Sequence, residues 1–101
     1  MLSKNKEKFI LSLKKKKVRE ELKLFIIEGD KMVREFIASG MKLVYLVAKA
    51  EFISGLNKEQ LASIGNVIPV SFDELRRISS LKTPHNAVAV VEMPEMKYEP
   101  E

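Results

Sequence analysis

The chain has 101 residues, of which 46% are hydrophobic and 32% are charged, a composition typical of one globular domain and not of a disordered or fibrous protein. It has no cysteine and a single histidine, which excludes disulfides, thiolate metal sites and multi-histidine metal sites. No apolar run approaches the ~20 residues of a membrane helix and the N-terminus lacks a signal peptide's apolar segment, so we expect a soluble cytoplasmic protein with no membrane partner.

The first 23 residues combine two predicted helices with most of the positive charge. Ser3 as a cap and the spacing of apolar residues predict a helix over 3–13, and a second helical segment is expected around 17–22. Residues 1–23 hold nine Lys and Arg against three Glu, a balance of +6, whereas the whole chain has a net charge of +4. Such a patch is typical of a polyanion partner, most often nucleic acid. A solvated terminus that aids solubility explains the same charge, so both interpretations stay open.

A strand that ends in a sharp corner follows this basic segment. The run Leu24 to Ile27 predicts the strand, Gly29 suits a tight backbone turn, and residues 30–39 continue at helical spacing. Polar groups thus gather at the end of a strand, where open α/β sheets tend to bind ligands. Glu28 could accept helix amides, brace a lysine or contact a ligand, and a structural bond is favoured. We expect Asp30 to cap the helix that it begins.

The rest of the chain alternates strands and helices. The predicted elements are a strand over 43–48, a turn with Gly55, a helix over 58–64, a strand over 67–70, a helix from the Ser71–Glu74 capping box to about Ser79, a polar loop over 80–86 and a strand over 87–91. This order predicts an α/β fold, a three-layer α/β/α sandwich with a four-stranded, mostly parallel sheet. Residues 1–93 would form the domain, and residues 94–101 a tail or the start of a linker.

No catalytic set can be recognised, so the residues describe a binding domain. The sequence has no Gly-rich phosphate loop and no nucleophile elbow, and a lone His85 supports no triad. The candidate nucleic-acid-binding residues are Lys14, Lys15, Lys16, Lys17 and Arg19 near the N-terminus, Lys31 and Arg34 after the corner, and Lys82, His85 and Asn86 in the last loop. Lysines neutralise phosphates, whereas His and Asn can bond base edges or a 2′-hydroxyl. An ordinary turn before a strand explains His85 and Asn86 equally well.

Two stretches carry a family resemblance over roughly residues 9–92. Phe25-Ile26-Ile27-Glu28-Gly29-x-Lys31-x-Val33-x-Glu35 and Ser80-x-x-Thr83-Pro84-x-x-Ala87-Val88-Ala89-Val90-Val91 resemble the N-terminal substrate-binding domain of SpoU-type (TrmH-like) RNA ribose 2′-O-methyltransferases. The resemblance implies a fold like that of ribosomal proteins that bind kink-turn RNA. Where the family commonly has Gln-Gly after Thr-Pro, this chain has His85-Asn86. Asn adopts positive φ more readily than most residues, so we expect the turn to be kept.

The resemblance also implies what the domain does and what it lacks. It implies a domain that presents structured RNA, usually ribosomal RNA, to a separate catalytic domain of the SPOUT type within a homodimeric parent protein. That other domain would bind S-adenosylmethionine and supply the catalytic residues, so this chain would hold neither cofactor nor catalysis. Two alternatives remain. One is a dimerisation or docking module that uses the Ala/Val-rich last strand, and the other is a free-standing ribosome-associated RNA-binding protein.

Overall fold

Six helices and four strands make up residues 1–94, the part of the chain that the computed structural model describes. In chain order they are α1 (Lys4–Ser12), α2 (Lys16–Leu22), β1 (Leu24–Glu28), α3 (Asp30–Ala38), β2 (Leu43–Ala48), α4 (Ala50–Ser54), α5 (Lys58–Ser63), β3 (Asn66–Pro69), α6 (Phe72–Ile78) and β4 (Ala87–Glu92). Apart from α4, every element was predicted from the sequence to within two residues at each end. Most of the predicted tail, 94–101, lies outside the described residues, so the domain boundary stays a prediction.

The sheet is mixed, which corrects the expected mostly parallel arrangement. Its strand order is β1-β4-β2-β3, with β2 and β3 parallel and β4 antiparallel to both β1 and β2. The first three strands run in one direction, as the alternation of helices and strands predicts. The last strand enters between β1 and β2 in the opposite direction, so only one of the three pairings is parallel. The α/β class itself is confirmed.

Helices cover both faces of the sheet, and β4 lies at its centre. Ala87, Ala89 and Val91 belong to one apolar cluster, together with residues of α3 and α4, whereas Val88 and Val90 belong to a second cluster with residues of α1 and α6. A strand buried on both faces reads as a continuous apolar run, as this one does. Both faces of the Ala/Val-rich strand are therefore covered by the domain's own core, so the strand offers no surface to a docking partner.

Side-chain caps set the start of the later helices. The Ser71 hydroxyl accepts from the Glu74 N–H at 3.3 Å, and the Ser71 N–H donates to the Glu74 carboxylate at 3.1 Å, which confirms the predicted capping box. The same carboxylate accepts from the Leu2 N–H at 2.7 Å and so joins the N-terminus to α6. The short helix α4 has no such side-chain cap at Lys49, and the sequence predicts only a turn there.

Candidate nucleic-acid interface

The corner after β1 is built around a glycine that needs its special conformation. Gly29 has φ +110° and ψ +141°, a region that L side chains rarely adopt. Its N–H donates to the Ala87 carbonyl at 3.0 Å, and α3 begins at the next residue. The corner is therefore attached to the first residue of β4, and side chains on either side of Gly29 face the loop before that strand.

Glu28 and Asp30, the two carboxylates that flank Gly29, both accept hydrogen bonds from that loop. Glu28 accepts from the Ser79 hydroxyl at 2.7 Å and from the Ser80 N–H at 2.8 Å. Among the roles left open for Glu28, the structural bond is therefore the one observed. Asp30 accepts from the N–H of Asn86 at 2.9 Å and from its side-chain amide at 2.8 Å.

The Asp30 bonds replace the helix cap expected from the sequence. The cap position of α3 is Gly29, which has no side chain, and Asp30 turns across to the loop and not along its own helix. Burial raises the pKa of the Asp30 carboxyl, but the bonds from Asn86 and the charges of Arg34 and His85 outweigh burial and leave that pKa below its usual value. The carboxylate is thus charged at neutral pH, and each of its two oxygens accepts one hydrogen bond from Asn86.

Asn86 also departs from the turn geometry that was expected. Among the described residues other than glycine, only Lys23 has a positive φ, so Asn86 does not replace a glycine in that conformation. Its carbonyl accepts from the Lys49 N–H at 2.9 Å, while its side chain binds Asp30. The residue is fixed on both sides and serves as a link between the corner and the sheet.

The basic run lies at the junction between α1 and α2. Lys14 to Lys17 are all exposed, and Arg19 donates from one guanidinium nitrogen to the carbonyls of Leu13 and Lys14, at 3.0 and 2.7 Å. Arg19 thereby fixes the bend that presents the lysines. Lys16 lies 3.8 Å from Glu20, but both side chains are exposed, so this pair contributes little. Within residues 1–94, Lys14, Lys15 and Lys17 form no ion pair.

Two open clefts join this basic run to the corner. The first, the elbow cleft, measures about 380 Å³ and is lined by Lys14, Arg19, Phe25, Ile26, Glu28 and Ser80, among others. The second, the corner cleft, measures about 600 Å³, and Glu28, Gly29, Lys31, Met32 and His85 are among its lining residues. Glu28 lines both clefts and Lys14 lines the first, so the adjoining clefts connect the start of the lysine run to the corner.

Some of the remaining candidate residues lie at the corner cleft, and others make contacts within the fold. Lys31 and His85 line the corner cleft, and Lys82 is exposed in the adjoining loop. Arg34 instead lies over the Phe52 ring, 5.0 Å from its centroid, and so links α3 to α4. The roles of Ser79 and Ser80 were not predicted, since bonds over about fifty residues leave no pattern in a single sequence.

Neither a metal-ligand cluster nor a membrane-spanning helix is found among the described residues. Within 1–94, no three His, Asp or Glu side chains come together in a way that could hold a metal ion. None of the helices in this part of the chain has both the length and the apolar character needed to cross a bilayer.

Comparisons with known proteins find a substrate-binding domain family and structures of RNA methyltransferases that are similar to this chain. A family model described as an MRM3-like substrate binding domain matches residues 4–89. A structure from Porphyromonas gingivalis, of a protein assigned to the TrmH family of RNA methyltransferases, is similar with a TM-score of 0.79 and 34% identity over 100% of this chain. An rRNA methyltransferase from Sinorhizobium meliloti gives 0.80 and 26% over 95%, and a second structure of such an enzyme from that organism has AdoMet bound.

These similarities cover only part of the other proteins. The chain spans 38% of the P. gingivalis protein and 36% of the S. meliloti enzyme. The comparison with curated protein sequences gave no match.

Proposed function

Since the chain belongs to the family of MRM3-like substrate binding domains, we propose that it binds structured RNA, in particular ribosomal RNA, for a ribose 2′-O-methyltransferase. The predicted resemblance to SpoU-type enzymes is confirmed by the family match and by the TrmH-family structure. In this proposal the domain recognises the substrate, and methyl transfer takes place in a separate domain of a homodimeric parent protein in the cytoplasm. A parent as long as the matched methyltransferases has room for that domain, because this chain spans 36–38% of their length.

The proposal is carried by one face, made of the lysine run, the two adjoining clefts and the corner. Phosphate contacts supply most of the affinity of a nucleic-acid complex without reading its sequence. Lys14, Lys15 and Lys17 would supply them at one end of the face, with Lys31 and Lys82 at the other. His85 would then contact a base edge or a 2′-hydroxyl, while Lys16 would add to the general positive potential.

Three of the candidate residues would act mainly by holding this face in shape. The guanidinium of Arg19 is bonded to two carbonyls, that of Arg34 lies over Phe52, and the amide of Asn86 is bonded to Asp30. Arg19 lines the elbow cleft and keeps further N–H groups for a phosphate. We therefore expect a contact to RNA from Arg19, and a weaker contribution from Arg34 and Asn86.

We place AdoMet in the other domain of the parent protein. AdoMet is a sulfonium cation that also carries an ammonium group, so a site for it in the clefts would need a free carboxylate. The carboxylates of Glu28 and Asp30 already accept bonds from the loop, so Glu35 is the one cleft carboxylate left to meet two cationic groups, which makes the lining a poor fit for this cofactor. Methyl transfer itself is the chemistry that AdoMet would supply there, and this chain would contribute recognition of the RNA.

A salt titration of RNA binding tests the proposal. Fluorescently labelled fragments of ribosomal RNA are titrated with the wild-type chain and with K14Q/K15Q, using K42Q/K58Q as the control because it removes the same charge from the rest of the surface. Each lost phosphate contact lowers the slope of log K against log salt by ~0.7–0.9, so K14Q/K15Q should lower it by about 1.5. The loss of affinity between ~50 and ~200 mM salt then shrinks by roughly 8-fold.

Two outcomes would refute parts of this proposal. No binding of wild-type chain to the RNA fragments at ~50 mM salt would refute RNA binding by the domain. Equal slopes for K14Q/K15Q and K42Q/K58Q would show that the lysine run is a general solubility feature and not a binding surface.

A further inference from the structure

The loop between α6 and β4 is held at both ends by the corner. Its first residues, Ser79 and Ser80, donate to Glu28 at 2.7 and 2.8 Å. Its last residue, Asn86, donates twice to Asp30, at 2.9 and 2.8 Å. The two carboxylates stand one residue before and one residue after Gly29, so a three-residue corner fixes both ends of a loop some fifty residues away in the chain.

Inside the loop, a hydrogen bond and a buried proline fix the backbone, while the side chains of Lys82 and His85 stay exposed. The Leu81 N–H donates to the Ser79 hydroxyl oxygen at 3.0 Å, and Pro84 is buried. Between these points Lys82 and His85 are exposed, and neither side chain makes a hydrogen bond or ion pair with another residue of the described part of the chain. The loop is thus ordered through its ends and its proline, and it presents the two side chains to solvent.

We propose that Glu28 and Asp30 are positioning residues that hold the loop over 80–85 in the one shape in which Lys82 and His85 meet RNA. This inference rests on the proposed RNA-binding function and deepens it. Neither carboxylate touches the RNA in this account. Each acts through the loop, and Asn86 belongs with them because its side-chain amide is bonded to Asp30.

The direction in which RNA affinity changes when a carboxylate is removed distinguishes a positioning role from a simple charge effect. A carboxylate on a surface that binds phosphates repels them, so its removal should strengthen binding if charge alone matters. If the carboxylate orders the loop, its removal should weaken binding instead, since the loop must then be ordered at the moment of association. Asp30 and Glu35 offer a matched comparison, because both lie on α3 and line the corner cleft, but only Asp30 is bonded to the loop.

The test uses an exchange of donor and acceptor in the chain of 101 residues. In D30N the new side-chain amide faces the amide of Asn86, and in N86D two carboxylates face each other. The double variant D30N/N86D restores the pair with donor and acceptor exchanged. The amide introduced at position 30 accepts from the backbone N–H of residue 86 and donates to the carboxylate introduced there. The double variant also keeps the net charge of the wild type.

Binding of labelled ribosomal RNA fragments and amide hydrogen exchange of the loop are measured for each variant. We expect D30N and N86D to bind roughly 3- to 10-fold more weakly than wild type, from the loss of about one hydrogen bond, with faster exchange over 80–86. The double variant should recover most of the affinity and the slow exchange. E35Q should bind as tightly as wild type or more tightly. E28Q, which loses an acceptor for the Ser79 hydroxyl, gives a second route should D30N fold poorly.

The failures of this inference and of the proposed function can be told apart. No RNA binding by the wild type refutes the proposed function and the inference with it. Wild-type binding together with equal or tighter binding by D30N and E28Q overturns the inference alone. A double variant that remains as weak as D30N would also overturn it, because the restored bonds would then have no effect on binding.

Discussion

Replacing Gly29 by alanine tests the corner on which the whole face depends. A Cβ at this position would lie no closer than 3.9 Å to its nearest neighbour, the His85 ring, so the side chain itself has space. The cost comes from the backbone, since φ +110° with ψ +141° is a region populated almost only by glycine. Such strain costs about 1–3 kcal/mol, whereas the gain from a stiffer unfolded chain is about 0.4–1 kcal/mol. The strain should therefore dominate.

Urea denaturation followed by circular dichroism measures this difference. With a slope of about 1–3 kcal/mol per molar urea, G29A should lower the midpoint by roughly 0.5 to 1 M. Gly55 is the matched control, because its φ is −80° and a Cβ there would meet the carbonyl oxygens of Phe52 and Glu51 at 3.4 and 4.0 Å, which are ordinary contacts. G55A should be neutral or up to about 1 kcal/mol more stable. If G29A proves as stable as G55A, the corner does not require glycine and this reasoning is wrong.

Two further predictions concern the sheet and the response to acid. A Cβ at Gly65 would lie 2.6 Å from the Val44 carbonyl oxygen, so G65A must displace the backbone of β2. We expect a loss of about 1–3 kcal/mol in the free energy of unfolding, measured by urea denaturation. A G65A variant as stable as wild type would show that the backbone of β2 shifts at little cost. Folding lowers the pKa values of Asp30 and Glu74, and for Glu74 the cause is the hydrogen bonds from the N–H groups of Leu2 and Ser71. Each carboxylate therefore stabilises the fold at pH values above its unfolded-state pKa, and this stabilisation is lost as the pH falls through its folded-state pKa. The stability difference between wild type and D30N should therefore be present at pH 7 and shrink below about pH 4, and a difference independent of pH would contradict it.

Local signals in the sequence predicted most of the secondary structure. The Ser71–Glu74 box and the apolar spacing of Val33 and Ile37 act within a few residues, and the structure reproduces the helices that they indicate. The helix α4 was missed because its five residues are too few to show a period and its cap position, Lys49, makes no side-chain cap bond.

Strand order and long-range bonds depend on contacts that a single sequence does not show. The alternation of helices and strands predicts that the strands run in one direction. It does not show that β4 enters the middle of the sheet in the opposite direction. For the same reason the corner was predicted from Gly29 and its neighbours, while the bonds from Asn86 to Asp30 were not. Asp30 is a good capping residue by type, and only the folded loop shows that its side chain is used elsewhere.

The central claim is that the lysine run and the corner form one RNA-binding face. Amide hydrogen exchange of the chain, with and without labelled ribosomal RNA fragments at low salt, tests it most directly. We predict that RNA slows exchange over 14–19, 28–31 and 80–86, which line or adjoin the two clefts. Exchange should stay unchanged in β3, which forms the opposite edge of the sheet, and in α5, which precedes β3 in the chain. Protection confined to α5 and β3, or to the lysine run without the corner, would contradict the claim.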